Sequence, residues 1–343
     1  MVGMRDIAKA ANVSLSTVSV VLNNNGKSVR PETAERVRKA AKELNYTFQP
    51  KKIRQKAVAV IFSMLKITYY SDVYDAIAAE LSKKGTLLFF YATENEFARE
   101  REKMELISKM DIEGVILGSV CPIEEEKEYF EWVENEFCRQ GIPVVLMERK
   151  INSEFISCIY YDYYSGAIAA TEHLINMGHR DIAYIAGRKL PHTVERTYGF
   201  MDAMRKCGLE PSRDLMVQGD CTAYSGYNCM KELIDGGEKF TAVFSANDAM
   251  AIGAIQALKQ RGIRIPEDIA LIGFDNLAIA SLVEPSLSTI SISGSQLGRK
   301  AAYALNEMCS KGKKGIELQL EYRLIERKST NRRARCEAEL ISW

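Results

Sequence analysis

The chain has 343 residues, of which 47% are apolar, so it can form a small domain and a larger one with a substantial core. No apolar run approaches about 18 residues and no apolar stretch follows a charged start, which argues against membrane insertion and secretion and predicts a cytosolic protein. The net charge of +1 hides an uneven distribution. Residues 1–56 hold 12 Lys and Arg against 4 Asp and Glu, whereas the remaining residues hold 34 against 41. A basic head on an acidic body is typical of a protein that binds a phosphate backbone.

Residues 4–24 predict two short helices joined by a turn. Apolar residues recur at the spacing of one helix face, first Ile7, Ala8 and Ala11 and then Thr17, Val18, Val21 and Leu22. Ser14 stands where a helix N-cap is expected, because its hydroxyl can accept the free N–H groups of the following turn. The chain is therefore expected to turn at Asn12 and Val13 and to restart as a helix at Leu15. This is the pattern of a helix-turn-helix.

A third helix is predicted from Pro31 to about Leu44. Proline suits the first turn of a helix, and Glu32 and Glu35 favour the positive end of the helix dipole. Its apolar face would close a three-helix core and consists of Ala34, Val37, Ala41 and Leu44. The alternative to a DNA-binding head is a small helical bundle with a solvated basic face.

The segments IAKAANVSLSTVSVVLN and VRPETAERVRKAAKELNY resemble the DNA-binding head of the lactose/galactose repressor (LacI/GalR) family. The resemblance implies a head over residues 1–47 whose second helix enters the major groove of double-stranded DNA. The residues that it places on DNA are Leu15, Ser16 and Val20 at base edges, Thr17 and Ser19 at phosphates, and Ser14 and Asn23 beside them. The chain departs from the family at Val20, where Arg is most common, and at Arg30, where a Ser cap is usual. Because valine cannot hydrogen-bond guanine, the preferred operator should differ from the common one.

Residues 48–56 form a short basic linker in this prediction. Relatives carry several more residues here, including a hinge helix whose leucine wedges into the minor groove. The segment TFQPKKIRQK is too short for that helix and a linker, and Pro50 disfavours helix before it. Ile53 remains a possible wedge. The favoured hypothesis is a strap that contacts phosphates through Lys51, Lys52, Arg54 and Lys56.

From Ala57 onward, short β-rich runs alternate with amphipathic helices, which predicts a parallel α/β architecture. The predicted strands are AVAVIFS, TLLFFYA, GVILGS, PVVLME, CIYYD, DIAYIAG, DLMVQGD, TAVFSAND and IALIGFDN. The predicted helices include 71–84, 96–110, 166–177, 193–207 and 248–261. The motifs LINMGHRDIAYIAG, FSANDAMAIGAIQALKQRGIRIPEDIALIGFDN and LIERKST extend the family resemblance to Thr330.

The resemblance implies an α/β fold of the periplasmic-binding-protein type, with two Rossmann-like lobes, a cleft between them and three crossings. The core would span residues 57–330. One lobe would comprise about 57–162 with 292–321, and the other about 163–291 with 322–330. The tail 331–343 shows no heptad series and has no assigned role.

Polar residues at strand ends and helix starts indicate where a ligand would bind, because ligands of open α/β sheets lie at the carboxyl ends of strands. Glu148, Asp162, Asn247 and Asp275 end strands, and Arg196 begins a helix. The resemblance matches these positions to residues that hydrogen-bond small effectors. It also places Tyr69 and Tyr70 in the cleft, against the alternative that they are core residues, and puts Cys221 where some relatives have an aromatic platform.

Several of these residues have a structural alternative. Asp248 is expected to cap the helix that it begins. Asp162 is as consistent with a lobe-crossing hydrogen bond as with the cleft. Tyr224 lies near the expected edge of the cleft but also suits a core. The three histidines, His173, His179 and His192, lack metal-ligand spacing and are expected to be structural or surface residues.

The sequence thus predicts a non-enzymatic, effector-responsive repressor that binds a near-palindromic operator as a homodimer. A sugar is the first expectation for the effector and a nucleobase or nucleoside the second. The eight cysteines form no C-x-x-C pair and should be reduced thiols, and neither a metal nor a cofactor is expected. Two rivals remain: a solute-binding protein with an altered DNA role, and a sugar-metabolising enzyme that uses the cleft.

Overall fold

The structure is a computed structural model that describes residues 2–23, 29–46, 57–64 and 68–334. The chain divides into two compact units, Met1–Gln55 and Lys56–Trp343. Within the described residues, no helix is long and apolar enough to cross a membrane.

The first unit contains three helices, α1 (Met4–Ala11), α2 (Leu15–Asn23) and α3 (Pro31–Glu43). Ile7, Val18 and Val37, one from each helix, are completely buried and form the centre of its core. The turn before α2 has two local causes. Asn12 adopts a left-handed φ of 49°, and the Ser14 hydroxyl accepts the Thr17 backbone N–H at 3.1 Å. The predicted helix-turn-helix and its serine cap are therefore confirmed.

The second unit contains two six-stranded sheets. The first sheet has the order β11-β5-β4-β3-β1-β2 and is parallel throughout. Its strands are β1 (Ala57–Phe62), β2 (Leu87–Ala92), β3 (Gly114–Leu117), β4 (Val144–Met147), β5 (Ser157–Tyr161) and β11 (Glu317–Leu320).

The second sheet has the order β12-β10-β9-β8-β6-β7, and only β12 runs antiparallel to its neighbour. Its strands are β6 (Ile182–Ala186), β7 (Met216–Gln218), β8 (Ala242–Ser245), β9 (Ala270–Asp275), β10 (Ser288–Ser291) and β12 (Arg323–Ile325). The chain passes between the sheets three times: after β5, after β10 and after β11. The predicted α/β class is confirmed, and β10, β11 and β12 are the strands that the sequence did not reveal.

The helices that cover the sheets are α4 (Thr68–Ser82), α5 (Phe97–Ile107), α6 (Glu126–Glu136), α7 (Tyr163–Asn176), α8 (Pro191–Lys206), α9 (Ala223–Asp235), α10 (Asp248–Gln260) and α11 (Gly294–Lys311). The pair α7 and α8 is important for the site because both begin at the carboxyl edge of the second sheet. Gly199 allows them to approach, since a Cβ at this position would lie 2.4 Å from the Tyr164 carbonyl oxygen. A larger residue would force α8 away from α7 and displace the residues that it carries.

Candidate ligand-binding cleft

Residues from both sheets meet at a small cavity of about 40 Å³. The first sheet contributes Glu148, which follows β4, together with Tyr69 and Tyr70 from α4. The second contributes Cys221 and Asn247, which follow β7 and β8, Asp275, which ends β9, and Arg196 from α8. The sequence therefore identified seven residues that the fold does bring together, because parallel strands present their carboxyl ends at one edge.

Arg196 and Asp275 form a buried ion pair at the centre of this set. The Arg196 Nη2 donates to Asp275 Oδ1 at 3.0 Å, and Nη1 donates to the Ala246 carbonyl. The guanidinium also lies over the rings of Phe274, at 3.9 Å, and Tyr163, at 4.9 Å. Burial raises the pKa of Asp275 to about 6, although the Arg196 charge opposes the shift. The pair thus presents a fixed donor plane next to an acceptor that is ionised at neutral pH.

Glu148 is a second buried carboxyl and has a weaker set of partners. It is 9% exposed and accepts the Tyr70 hydroxyl at 3.1 Å. Burial raises its pKa to about 7, and neither the Tyr70 hydrogen bond nor the more distant Arg196 charge cancels the shift. Glu148 therefore exchanges between the neutral and ionised forms near neutral pH and has acceptor capacity left for a ligand.

The backbone at the cleft is held in conformations that non-glycine residues rarely adopt. The φ angles of Glu148, Cys221 and Asp275 are 66°, 72° and 109°. Each costs on the order of 1–3 kcal/mol and persists only where its surroundings enforce it. Three such residues around one cavity indicate that the surrounding fold holds their side chains in place although their backbone conformations are strained.

A buried network enforces the position of Asp275. The Asp248 carboxylate accepts the Leu277 backbone N–H at 2.8 Å and the Thr289 hydroxyl at 2.7 Å, which fixes the segment after β9. The predicted capping role of Asp248 is wrong. The cap of α10 is Asn247, whose side-chain oxygen accepts the Met250 N–H at 2.9 Å. Asp248 lies one residue inside the helix, so its carboxylate points toward β9 instead.

Asn247 also contributes its amide nitrogen, which donates to the Cys221 carbonyl at 3.0 Å. This bond ties the ends of β7 and β8 together at the cleft. One side chain thus caps a helix, links two strands and lines the cavity. The half-buried Cys221 thiol, whose pKa burial raises, offers a small polarisable surface but no aromatic platform.

Asp162 does not line the cavity, which corrects its place in the predicted effector set. Its carboxylate accepts the backbone N–H and the hydroxyl of Ser165, both at 2.8 Å, so it caps α7. Tyr69 and Tyr70 are each 6% exposed and line the cavity, so they are core and cleft residues at once. Tyr224 is 77% exposed and belongs to neither.

The sequence missed His192, which lines the cavity at the start of α8. Burial and the Arg196 and Arg149 charges lower its pKa to about 3, so the ring is neutral at pH 7 and can donate or accept one hydrogen bond. His192 is thus a half-buried residue of the cavity lining, and the prediction that it is structural stays a prediction. Its proximity to Arg196, one helical turn away, was the available signal. His173 and His179 instead bond the hydroxyls of Thr330 and Thr241.

In the first unit, the predicted base-reading residues are at least partly exposed to solvent. Leu15 is 42% exposed, Ser16 is exposed and Val20 is half-buried. Thr17 and Ser19 are also half-buried, and the Ser14 hydroxyl bonds the hydroxyls of Ser16 and Thr17 at 2.7 and 2.8 Å. The predicted phosphate contacts Lys51, Lys52, Arg54 and Lys56 lie outside the described residues, as does the side chain of Asn23.

The described residues contain no group of three His, Cys, Asp or Glu side chains placed to hold a metal ion. Among them, Cys121, Cys138, Cys158, Cys207, Cys221 and Cys229 are free thiols.

The chain is similar to known proteins over nearly its whole length. Residues 3–49 match the model of bacterial regulatory proteins, lacI family, and residues 171–330 match a periplasmic binding protein-like domain. The HTH-type transcriptional repressor PurR of Pasteurella multocida (strain Pm70) is 31% identical over 342 residues, covering 97% of this chain and 100% of the relative.

Two solved structures share the fold. The transcriptional regulator CelR in complex with cellobiose is 28% identical with a TM-score of 0.70, covering 96% of this chain and 100% of that one. The Lac repressor bound to ONPG in the repressed state is 25% identical with a TM-score of 0.75, covering 96% and 99%.

Proposed function

Since this chain belongs to the lacI family of bacterial regulatory proteins and is a DNA-binding transcriptional repressor, we propose that a small polyhydroxy compound, most simply a sugar, is its effector. The effector binds in the cleft and changes the affinity of the repressor for its operator. The observation that carries this proposal is the buried Arg196–Asp275 pair beside a second buried carboxyl, Glu148.

The hydrogen-bonding capacity of the cleft suits hydroxyl groups. Arg196 only donates, an ionised Asp275 or Glu148 only accepts, and a hydroxyl both donates and accepts. Vicinal hydroxyls can therefore pair with a guanidinium and a carboxylate at the same time. The similar transcriptional regulator CelR, solved in complex with cellobiose, supports a sugar as the effector.

A nucleobase is the second candidate. The Arg196–Asp275 pair also presents a donor next to an acceptor, which matches the polar edge of a heterocycle. A flat base would in addition stack on an aromatic ring; the Cys221 thiol offers none, and Tyr69, Tyr70 and His192 are the aromatic side chains of the cavity lining. We place the sugar first because two buried carboxyls, Glu148 and Asp275, offer acceptors for several hydroxyl groups.

We propose that the repressor acts as a homodimer on a near-palindromic operator, because one helix-turn-helix contacts too few base pairs for genomic specificity. An effector that touches both Glu148 and Asp275 bridges the two sheets and favours the arrangement in which they lie close together. If that arrangement changes the spacing of the two heads in the dimer, operator affinity changes by the coupling free energy, typically on the order of 1–3 kcal/mol.

The test is a thermal-shift panel of D-ribose, D-glucose, cellobiose, adenine and guanine, followed by calorimetry of each compound that stabilises the protein. Arg196→Ala and Asp275→Ala should each weaken binding by about 1–3 kcal/mol or more, because the partner is left buried and unpaired. Arg205→Ala is the matched control. It lies on the same helix and pairs with Asp202 at 3.3 Å, but both side chains are exposed.

Affinity that is unchanged in both cleft variants, with the fold intact by circular dichroism, would refute the cleft as the effector site. Stabilisation by a nucleobase and by no sugar would make the second candidate the effector. The proposed homodimer is tested separately, by selecting binding sites from random DNA. A palindromic consensus bound by two chains is expected, and a single half-site bound by one chain would refute the dimer.

A further inference from the structure

Glu148 is buried without a cation beside it. It follows β4 of the first sheet, is 9% exposed, and accepts the Tyr70 hydroxyl at 3.1 Å. Among the described residues, no Lys, Arg or His nitrogen lies within ion-pair distance of its carboxylate. The other buried carboxyl of the cavity, Asp275, has the Arg196 guanidinium at 3.0 Å. Because a buried carboxylate without a cation is costly, the surroundings of Glu148 favour its protonated form.

The other charged side chains near the cavity cancel in pairs. Each cation lies beside an acid of its own: Arg196 by Asp275, Arg188 by Asp220, and Arg149 by Glu126. Burial lowers the pKa of the imidazole in the lining and raises those of the phenols and the thiol, so these groups are uncharged at pH 7: His192, Tyr69, Tyr70 and Cys221. An ionised Glu148 therefore adds one negative charge that no side chain of the cavity lining balances.

The burial of Glu148 depends on the second sheet. Besides residues of the first sheet and α4, the cavity is lined by residues that belong with the second sheet, among them Leu190, His192 and Asn247. The cavity holds only about 40 Å³, so it has room for few water molecules that could solvate a charge. If the second sheet moved away, water would reach Glu148 and its pKa would return from about 7 toward the ordinary 4.5. The proton on Glu148 is therefore bound more tightly when the two sheets lie close together.

We propose that Glu148 is a proton-operated switch between the two sheets: uptake of a proton favours the arrangement in which they lie close together, and its release favours their separation. Acid then shifts the cleft in the same direction as an effector that bridges the sheets, without occupying it. The inference rests on the proposed function, because the switch alters operator affinity only if movement of the sheets changes the spacing of the heads.

The difference in proton binding sets the sign and the size of the effect. Below pH 4.5 Glu148 is protonated in both arrangements, and above about pH 7 it is ionised in both. Between these values only the close arrangement keeps the proton, so each pH unit lowers the ratio of close to separated molecules by up to about tenfold. The preference for the close arrangement is present in acid and is lost as the pH rises through about 7. From pH 6 to pH 8 the ratio should fall about tenfold.

The test measures the distance between the sheets in the full-length chain without DNA or effector. Nitroxide labels replace Ile123 and Tyr198, which are 56% and 57% exposed and line a larger cavity of about 550 Å³ from its two sides. The labels are attached through a ketone-bearing amino acid, so the native cysteines stay unlabelled. Pulsed electron spin resonance should show the short distance losing population to the long one between pH 6 and pH 8. In Glu148→Gln the short distance should dominate at both pH values.

Glu195→Gln is the matched control. Partial burial and the nearby Asp162 charge raise the pKa of Glu195 to about 7 as well. Glu195 is nevertheless an exposed residue of α8 and does not line the small cavity. The change in distance with pH should therefore equal that of the wild-type chain.

A wild-type distance distribution that is the same at pH 6 and pH 8 would overturn the inference. The same pH-dependent change in Glu148→Gln, or its loss in Glu195→Gln, would also overturn it, since the proton would then bind elsewhere. Affinity for an operator selected from random DNA is measured in parallel for wild type and Glu148→Gln. A distance change that requires Glu148, with the same pH dependence of operator affinity in both proteins, would uphold the switch and refute the proposed coupling of the cleft to the heads.

Discussion

Replacing Glu148 by Gln should stabilise the protein at alkaline pH and have little effect in acid. Glutamine has the same shape and keeps an oxygen that can accept the Tyr70 hydroxyl, so the substitution mainly removes a charge. In the wild-type chain the buried carboxyl resists ionisation, and its pKa rises from 4.5 to about 7. The folded state therefore binds the proton more tightly than the unfolded state does.

The sign follows from that difference in proton binding. Below pH 4.5 Glu148 is protonated in both states and adds no penalty, and above about pH 7 the folded chain must carry a buried charge. The shift from 4.5 to about 7 corresponds to about 3 kcal/mol of lost stability at alkaline pH, at about 1.36 kcal/mol per pKa unit. Stability conferred by the proton is thus complete in acid and is lost as the pH rises through the folded pKa.

The assay is urea denaturation of wild type and Glu148→Gln at a series of pH values from 4.5 to 8.5. The free energy of unfolding of the variant should exceed that of wild type by about 3 kcal/mol at pH 8, and the gap should close toward pH 4.5. Glu307→Gln is the control with the opposite sign, because Lys311 and Lys313 hydrogen-bond the Glu307 carboxylate and lower its pKa. A gap that is constant with pH, or a variant less stable than wild type at pH 8, would refute the reasoning.

Four further predictions concern the first unit and its linker. Ser14→Ala should destabilise the isolated head by about 1 kcal/mol in thermal unfolding, because the Thr17 N–H loses its hydrogen-bond acceptor. An unchanged melting temperature would show that the Ser14 cap does not stabilise the head. Val20→Arg should shift one operator position toward guanine in selection from random DNA, and an identical consensus for both proteins would show that Val20 does not face the bases. Neutralising the strap residues, Lys51, Lys52, Arg54 and Lys56, should flatten the slope of log affinity against log salt by up to about 0.9 per lost phosphate contact. Ile53→Ala should leave DNA bending unchanged, and a central kink abolished by that variant would show that a wedge is present.

Helix and strand identity was largely predictable because it depends on local spacing. Val18 and Val37 are completely buried, as their apolar periodicity requires, and the strand of residues 270–275 is present where the sequence placed it. The strands β10, β11 and β12 were missed because each has only three or four residues and carries polar side chains. Such short strands form through pairing with a neighbour that lies far away in the sequence.

The cleft was predictable where strand ends alone determine position, and not where side-chain direction matters. Glu148 and Asp162 follow neighbouring strands and looked equivalent in the sequence. The structure turns Asp162 toward Ser165 as a helix cap, while a left-handed φ of 66° directs Glu148 to the cavity. A positive φ at a non-glycine residue leaves no mark in the sequence, because the surrounding packing enforces it.

The sequence by itself determined the helix-turn-helix, the α/β class and the set of polar residues at strand ends, since each follows from periodicity, capping or strand direction. Only the tertiary structure decided that His192 joins Arg196 in the cleft lining, that Tyr163 packs under the Arg196 guanidinium, and that Asp248 fixes the segment that follows Asp275. These contacts join residues far apart in the chain, and their hydrogen-bonding and burial depend on how two sheets and the helices around them pack.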